Sequence, residues 1–310
     1  MDLAGIPYLR EIDRPIERGP RADPNFPHAS EAIADKVVDP VAIMLGVPYS
    51  GGSLSGAKCD QTPAAVRGAL PRFSAYSTDY GVALEVASIL DAGNVDAKGD
   101  VEDVERRIEA CVRALSSAGV PLAVVGGDNS ITAGAAAGAD ADALITFDAH
   151  HDVRDGATNG SPVRRLVEAG LPGERIIQIG IHGFANSRFY TERAAEYGIR
   201  WVPATAVRDR GMRAVLEEAI GALAAAGASR IWCDFDIDVL DRAFSPGTAA
   251  SLPGGLWPQD LEQAAFIAGA DERVRGIDIT EVDPSTDLAG MTVRVACAVL
   301  LSYLAGVESR

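Results

Sequence analysis

Two short segments of this chain carry more carboxylates than a folded core can hold unaided: Asp148-Ala149-His150-His151-Asp152 and Asp236-Ile237-Asp238-Val239-Leu240-Asp241. Each follows an apolar run, 143–147 and 231–235, so each delivers acidic side chains from the end of a buried stretch. Burying an unpaired carboxylate is costly, and a bound cation is the usual remedy. The two-residue spacing of Asp148, His150 and Asp152, and of Asp236 and Asp238, sets these side chains on one side of extended backbone. Together they offer carboxylates and one imidazole, a set suited to manganese-like ions rather than to zinc, which prefers His and Cys. Two divalent ions would balance the carboxylates, and water between them would be acidified enough to act as hydroxide near neutral pH. A loop cap with solvated charges could produce either motif alone; the two together argue for the cation.

The rest of the chain is organised to place such motifs. Short β-branched runs at 41–47, 122–125, 144–147, 175–181, 200–202, 230–235 and 274–279 alternate with helical stretches at 63–70, 101–117, 213–226, 259–268 and 292–304. Asp100, with Asp103 three residues on, reads as a helix N-terminal cap. Continuous apolar strands separated by helices predict an α/β chain, a three-layer α/β/α domain around a mostly parallel sheet. Residues 1–40, rich in Pro, Arg and Asp, read as an N-terminal arm, and 41–310 as a single domain. In such sheets ligands bind beyond the carboxyl ends of the strands. Four polar segments follow strands in that way: Gly126-Gly127-Asp128-Asn129-Ser130, Asp148–Asp152, Asp236–Asp241 and Thr280-Glu281-Val282-Asp283-Pro284.

Charge narrows the class. A net charge of −16 leaves no basic stripe for nucleic acid or an anionic membrane. The four cysteines lie far apart with no C-x-x-C pair, so they read as ordinary thiols in a reducing compartment. No leader pattern is visible and no run approaches the length of a membrane span, which points to a cytoplasmic protein.

The four segments, in this order, resemble the signatures of the ureohydrolase family, which includes arginase, agmatinase, guanidinobutyrase and formimidoylglutamase. The resemblance extends through Arg242-Ala243-Phe244-Ser245-Pro246-Gly247 and through Gly276-Ile277-Asp278-Ile279 ahead of Thr280, and it runs from about residue 41 to the C-terminus. It implies the arginase-like fold, a dimanganese centre, and hydrolysis of a C–N bond in a guanidine or amidine. It also implies a homo-oligomer, trimer or hexamer. Carried over position by position, it makes Asp148, His150, Asp152, Asp236 and Asp238 metal ligands. Asp152 would also hold the bridging hydroxide and take its proton, and Glu281 would receive the cationic amidine. Asp234 and Asp241 fall outside the ligand positions and read as structural.

Two departures bear on the substrate. Most members have a ligand His where this chain has Asn129, so Asn129 is expected to ligate more weakly through its amide oxygen or else to cap the next helix. Arginases and agmatinases carry a His-Gly-x-Pro element where this chain has Asn159-Gly160-Ser161-Pro162, followed by Val163-Arg164-Arg165. Arg154 follows the metal motif directly. N-formimidoyl-glutamate carries two carboxylates beside its amidine, and fork-shaped guanidinium donors suit them. The pattern is therefore most similar to formimidoylglutamases of histidine degradation, with Arg154, Asn159, Arg164 and Asn186 as expected substrate contacts. The subgroup often has Arg where His182 stands, and His182 reads as a strand-end histidine.

Overall fold

Apolar runs that alternate with helices build one large sheet in the computed structural model, which describes residues 3–12 and 23–310. Residues 13–22 of the expected arm lie outside the described residues. The strands are β1 (Leu9–Arg10), β2 (Ile33–Ala34), β3 (Ala42–Gly46), β4 (Tyr76–Ser77), β5 (Val82–Ala83), β6 (Ile89–Val95), β7 (Leu122–Val125), β8 (Ala143–Phe147), β9 (Ile176–Ile181), β10 (Arg200–Pro203), β11 (Ile231–Asp236) and β12 (Val274–Thr280). The main sheet runs β1-β6-β3-β7-β12-β11-β8-β9-β10, with β2 also paired to β6, while β4 and β5 form a separate hairpin. Only the β1–β6 pairing in the main sheet is antiparallel among the described residues. The segment read as an arm thus contributes two short strands, β1 and β2, to the sheet.

Helices cover both faces: α1 (Thr62–Ala69), α2 (Val101–Ser116), α3 (Ile131–Gly138), α4 (Pro162–Glu168), α5 (Arg188–Glu196), α6 (Ala204–Arg210), α7 (Met212–Ala225), α8 (Pro258–Ala270) and α9 (Met291–Glu308). Successive strand residues part to opposite sides, as the pleat requires. Ile43, Leu45, Val124, Leu144 and Trp232 share a core with α2 and α3, whereas Met44, Val125, Ile145, Cys233 and Ile277 share one with α7, α8 and α9. Asp100 caps α2, its side chain accepting the Asp103 N–H. All four cysteines are buried free thiols.

α9 departs from the expectation that no run approaches a membrane span. It has 18 residues with a mean hydropathy of 1.5, long and apolar enough by composition to cross a bilayer. Here Val293, Cys297, Leu300 and Leu304 are buried in the core, so the apolar character serves packing.

The periodicity also passed over α3, α4, α5, α6 and the strands β1, β2, β4, β5 and β6, and for β6 and α3 the reason is local. β6 is broken in sequence by Asp91 and Asn94, which the Arg67 guanidinium of α1 neutralises and bridges: Nε and Nη2 reach Asp91 at 2.8 and 2.7 Å, and Nη1 reaches Asn94 at 2.8 Å. α3 reads Ile-Thr-Ala-Gly-Ala-Ala-Ala-Gly and has little amphipathic signal. Its glycines are there for contact: a Cβ on Gly134 or Gly138 would lie 2.6 Å from Glu105 O or 2.7 Å from Glu109 O of α2.

Candidate active site

β7, β12, β11 and β8 are consecutive neighbours in the sheet, and the four polar segments leave their carboxyl ends. Adjacency of strands is what brings residues more than a hundred positions apart into one cleft. Within each loop, however, the side chains converge through turns and not through extended alternation. Asp148 Oδ1 accepts the His150 N–H at 2.6 Å, and Asp236 Oδ1 accepts the Asp238 N–H at 2.8 Å. Both are aspartate turns in which the carboxylate folds back on backbone two residues ahead. The expected one-sided arrangement is therefore reached by a different local geometry.

Ligand atoms of Asp148, His150 and Asp238 lie within 4.8 Å of one another. His150 Nδ1 is 3.3 Å from Asp148 Oδ1 and 3.1 Å from Asp238 Oδ2. The remaining oxygens of this pair, Asp148 Oδ2 and Asp238 Oδ1, are buried without any hydrogen-bond partner. Burial pushes the Asp148 carboxyl up to about 6, and the neighbouring Asp238 adds to the push. Burial also raises Asp152 and Asp236 well above the carboxylate range, with Asp148 the next cause for the first and Asp238 for the second. For His150, burial opposes the charged ring, but Asp238 and Asp148 outweigh it and raise its pKa well above the ordinary value. Orphaned acceptors and mutually repelling carboxylates are what a divalent cation relieves, so this donor set fits the manganese pair expected from the sequence.

Asp152 and Glu281 share an unusual backbone. Their φ angles are +50° and +61°, left-handed values that side-chain-bearing residues seldom adopt. Such positions typically cost about 1–3 kcal/mol each and persist where the surroundings over-determine them. The surroundings here are explicit. Glu281 Oε1 accepts the Asn129 N–H at 2.7 Å and Asn159 Nδ2 at 3.0 Å, while Oε2 has no hydrogen bond among the described residues. Burial, then Asp128, raises the Glu281 carboxyl to about 8.

The asparagines take roles the sequence did not assign. Asn129 Oδ1 accepts the hydroxyls of Thr132 at 2.8 Å and Thr280 at 3.2 Å, and Nδ2 donates to Asp152 Oδ2 at 2.7 Å. Only an amide oxygen ligates a cation, so in this arrangement Asn129 props Asp152 and does not present a donor to metal. Asn159 faces Glu281, with Oδ1 held by the Leu54 N–H at 3.1 Å. Asn186, expected at the substrate, is used up by the metal loop: it accepts the His151 N–H and donates to Ala149 O, both at 2.9 Å. Arg164 is likewise spent internally, on Arg154 O, Gly156 O and Glu168. Arg154 is exposed, and its guanidinium has no hydrogen bond or ion pair among the described residues.

Other expectations hold. Asp241 ties a turn by accepting the N–H groups of Ala243 and Gly254. Asp234 lies opposite Asp278 in register and is buried, its carboxyl raised by burial and by Asp278. His182 is satisfied, Nδ1 accepting the Phe184 N–H and Nε2 lying 3.0 Å from Pro253 O. Gln178 was missed. It pairs with His151, Nδ1 to Oε1 at 2.7 Å, and donates to His151 O at 2.9 Å. Its signal was a lone amide inside the apolar run Ile-Ile-Gln-Ile-Gly-Ile of β9.

Residues 41–306 match the model of the Arginase family. The chain belongs to the arginase family. Among the relatives in that family, a formimidoylglutamase of Halalkalibacterium halodurans is 36% identical, with 98% of each chain covered. The crystal structure of formimidoylglutamase from Bacillus subtilis superposes with a TM-score of 0.85 at 32% identity, over 96% of both chains. That of Trypanosoma cruzi formiminoglutamase with Mn2+ superposes with a TM-score of 0.84 at 25% identity, over 92% of this chain and 99% of that one. The arginase-like α/β fold, with its mostly parallel sheet and flanking helices, is thus established for this chain.

Proposed function

We propose that this protein hydrolyses N-formimidoyl-L-glutamate to L-glutamate and formamide, as in histidine degradation, with two manganese ions held by Asp148, His150, Asp152, Asp236 and Asp238. What carries the reading is one juxtaposition. Buried carboxylates with unpaired oxygens neighbour Glu281, and the turn whose Asn159 holds Glu281 also carries, at Gly160, the stem of the exposed Arg154. The relatives named formimidoylglutamase support the same substrate.

Ions bound by this set would supply Lewis acidity and a water acidified towards neutral pH. The chain's own groups do the rest. Glu281, fixed through Oε1, keeps Oε2 for the N–H groups of the amidinium, which orients the formimidoyl carbon. Asp152, steadied by Asn129, accepts a proton from the attacking water and returns it to the glutamate nitrogen as the C–N bond breaks. Both water protons end on that nitrogen, and the water oxygen becomes the carbonyl of formamide. Asp152 and Glu281 are 7% and 3% exposed, so fixed dipoles and not bulk water surround the reacting carbon. Arg154 meets carboxylate at the other end of the substrate.

A product assay tests this. Manganese-loaded protein offered formimidoyl-glutamate, arginine, agmatine and guanidinobutyrate should release glutamate and formamide from the first alone. Urea from a guanidine would overturn the substrate, and no turnover with no manganese uptake would overturn the enzyme. The reading carries with it a cytoplasmic trimer or hexamer, which light scattering and fractionation would check.

A further inference from the structure

Arg154 is an exposed arginine whose backbone is fixed on every side. Its N–H donates to Gly160 O at 2.9 Å, and its carbonyl accepts Arg164 Nε at 2.7 Å. Arg193 of α5 grips both neighbours, reaching Val153 O at 2.8 Å and Asp155 Oδ1 at 2.7 Å. The side chain is guided as well. A Cβ on Gly160 would come 2.6 Å from Arg154 Cδ and 3.2 Å from Nε, so the arginine stem lies directly on the glycine. The guanidinium then rests over the Tyr190 ring, 5.6 Å from its centroid. Tyr190 is held in turn by Arg193, at 5.5 Å, which also covers Phe189 at 4.8 Å. Asn159, the residue before Gly160, donates its amide to Glu281. One turn therefore carries both the prop for Glu281 and the bed for Arg154.

We propose that Tyr190 and Gly160 are specificity-positioning residues: they set the Arg154 guanidinium at a fixed reach from Glu281, so the site selects amidines that carry a carboxylate at the far end. This rests on the substrate reading given above. An unsupported arginine gives up rotamer freedom when it captures a carboxylate; one already laid on a ring and a glycine has given it up beforehand. The ring face attracts the cation without using any of its five N–H donors, which stay free for the ligand. Arg164, expected at the substrate, and Arg193 of α5 both spend their donors on the loop that bears Arg154.

The experiment compares Michaelis constants for formimidoyl-glutamate and for N-butylformamidine, an amidine without carboxylates. Tyr190→Leu should raise KM for the first about three-fold with kcat unchanged, the scale of an exposed cation–π contact. It should leave kcat/KM for butylformamidine untouched, and Tyr190→Phe, which keeps the ring, should restore KM. Arg154→Leu should raise KM for formimidoyl-glutamate about ten-fold or more, and adding Tyr190→Leu to it should change nothing further. An equal loss on both substrates, or a full Tyr190→Leu effect on top of Arg154→Leu, would refute the positioning role while leaving the substrate reading intact. An Arg154→Leu variant with unchanged KM would refute it as well, whereas a wild-type protein that does not turn over formimidoyl-glutamate would instead remove the substrate reading itself.

Discussion

Stripping the metal should invert the usual acid sensitivity of this protein. In the folded chain Asp148 holds its proton to about 6 and Glu281 to about 8, against ordinary values of 3.8 and 4.5. Below about pH 4 both groups are protonated folded or unfolded, and neither affects stability. As pH rises the unfolded chain releases these protons first, so stability falls, through about 6 for Asp148 and about 8 for Glu281. Asp152 and Asp236, also raised, act in the same direction. So does His150, whose raised pKa stabilises the fold at low pH and ceases to as its proton is lost. At about 1.4 kcal/mol per pH unit between the two states, Asp148 is worth about 3 kcal/mol and Glu281 about 5 kcal/mol. Ionising one of these neighbours opposes ionising the next, so we expect on the order of 5 kcal/mol in all, or a Tm lower by roughly 10 °C at pH 8 than at pH 5. Carboxyls held below their usual range, such as Asp142 and Asp283, contribute nothing variable there, because their stabilisation is lost only in more acidic solution. Manganese must reverse the trend, since its ligands bind it deprotonated and its affinity rises with pH. Scanning calorimetry at pH 5, 6, 7 and 8, with chelator and with manganese, measures both. A chelated protein whose Tm is flat or rises from pH 5 to 8, or a manganese increment that does not grow with pH, would refute the reasoning.

Two further substitutions separate local roles. Asn129→Ala removes the donor to Asp152 and leaves the Thr132 and Thr280 hydroxyls without their acceptor, so kcat/KM should fall about 30-fold, the worth of a hydrogen bond to a charged group. Manganese per chain, measured by metal analysis, should stay the same; loss of one ion would show that the amide oxygen ligates after all. Arg67→Met abandons the buried Asp91 carboxylate and should cost about 3–5 kcal/mol, seen as a Tm lower by about 8 °C, with much of it recovered by adding Asp91→Leu. An Arg67→Met protein as stable as the parent would mean that the ion pair does not hold β6 in place.

Much of this architecture was legible because the strands are buried on both faces and read as unbroken apolar runs. The four strand-end segments stood out for the same reason, being polar where the pattern was not. β6 was missed because its polar residues are answered by Arg67 of α1, 24 and 27 positions away, a partner that pattern-reading cannot supply. α3 was missed because its glycines answer to the backbone of α2. In the site, the residue types were legible and their directions were not. Asn129, Asn186 and Arg164 carry the right chemistry for ligands or substrate contacts, but which atom each presents depends on hydrogen bonds to Thr132, Thr280, Ala149 and Gly156, none of which has a signature in the sequence.

The three asparagines, taken together, explain why the site depends on carboxylates and one arginine. Each amide is bonded at both ends, so none is free to rotate and none titrates. Asn129 and Asn159 direct their NH2 groups at Asp152 and Glu281, two site residues held in left-handed backbone. Neutral donors in these places favour the ionised forms of both carboxylates without introducing a charge that would repel a cationic amidine or a metal ion. A histidine in either position would carry its own proton equilibrium into the centre of the site. In a floor built of carboxylates and intended for cations, the positive charge needed for a substrate's carboxylates has to stand outside, on a support of its own, and the Arg154 guanidinium rests on the Tyr190 ring.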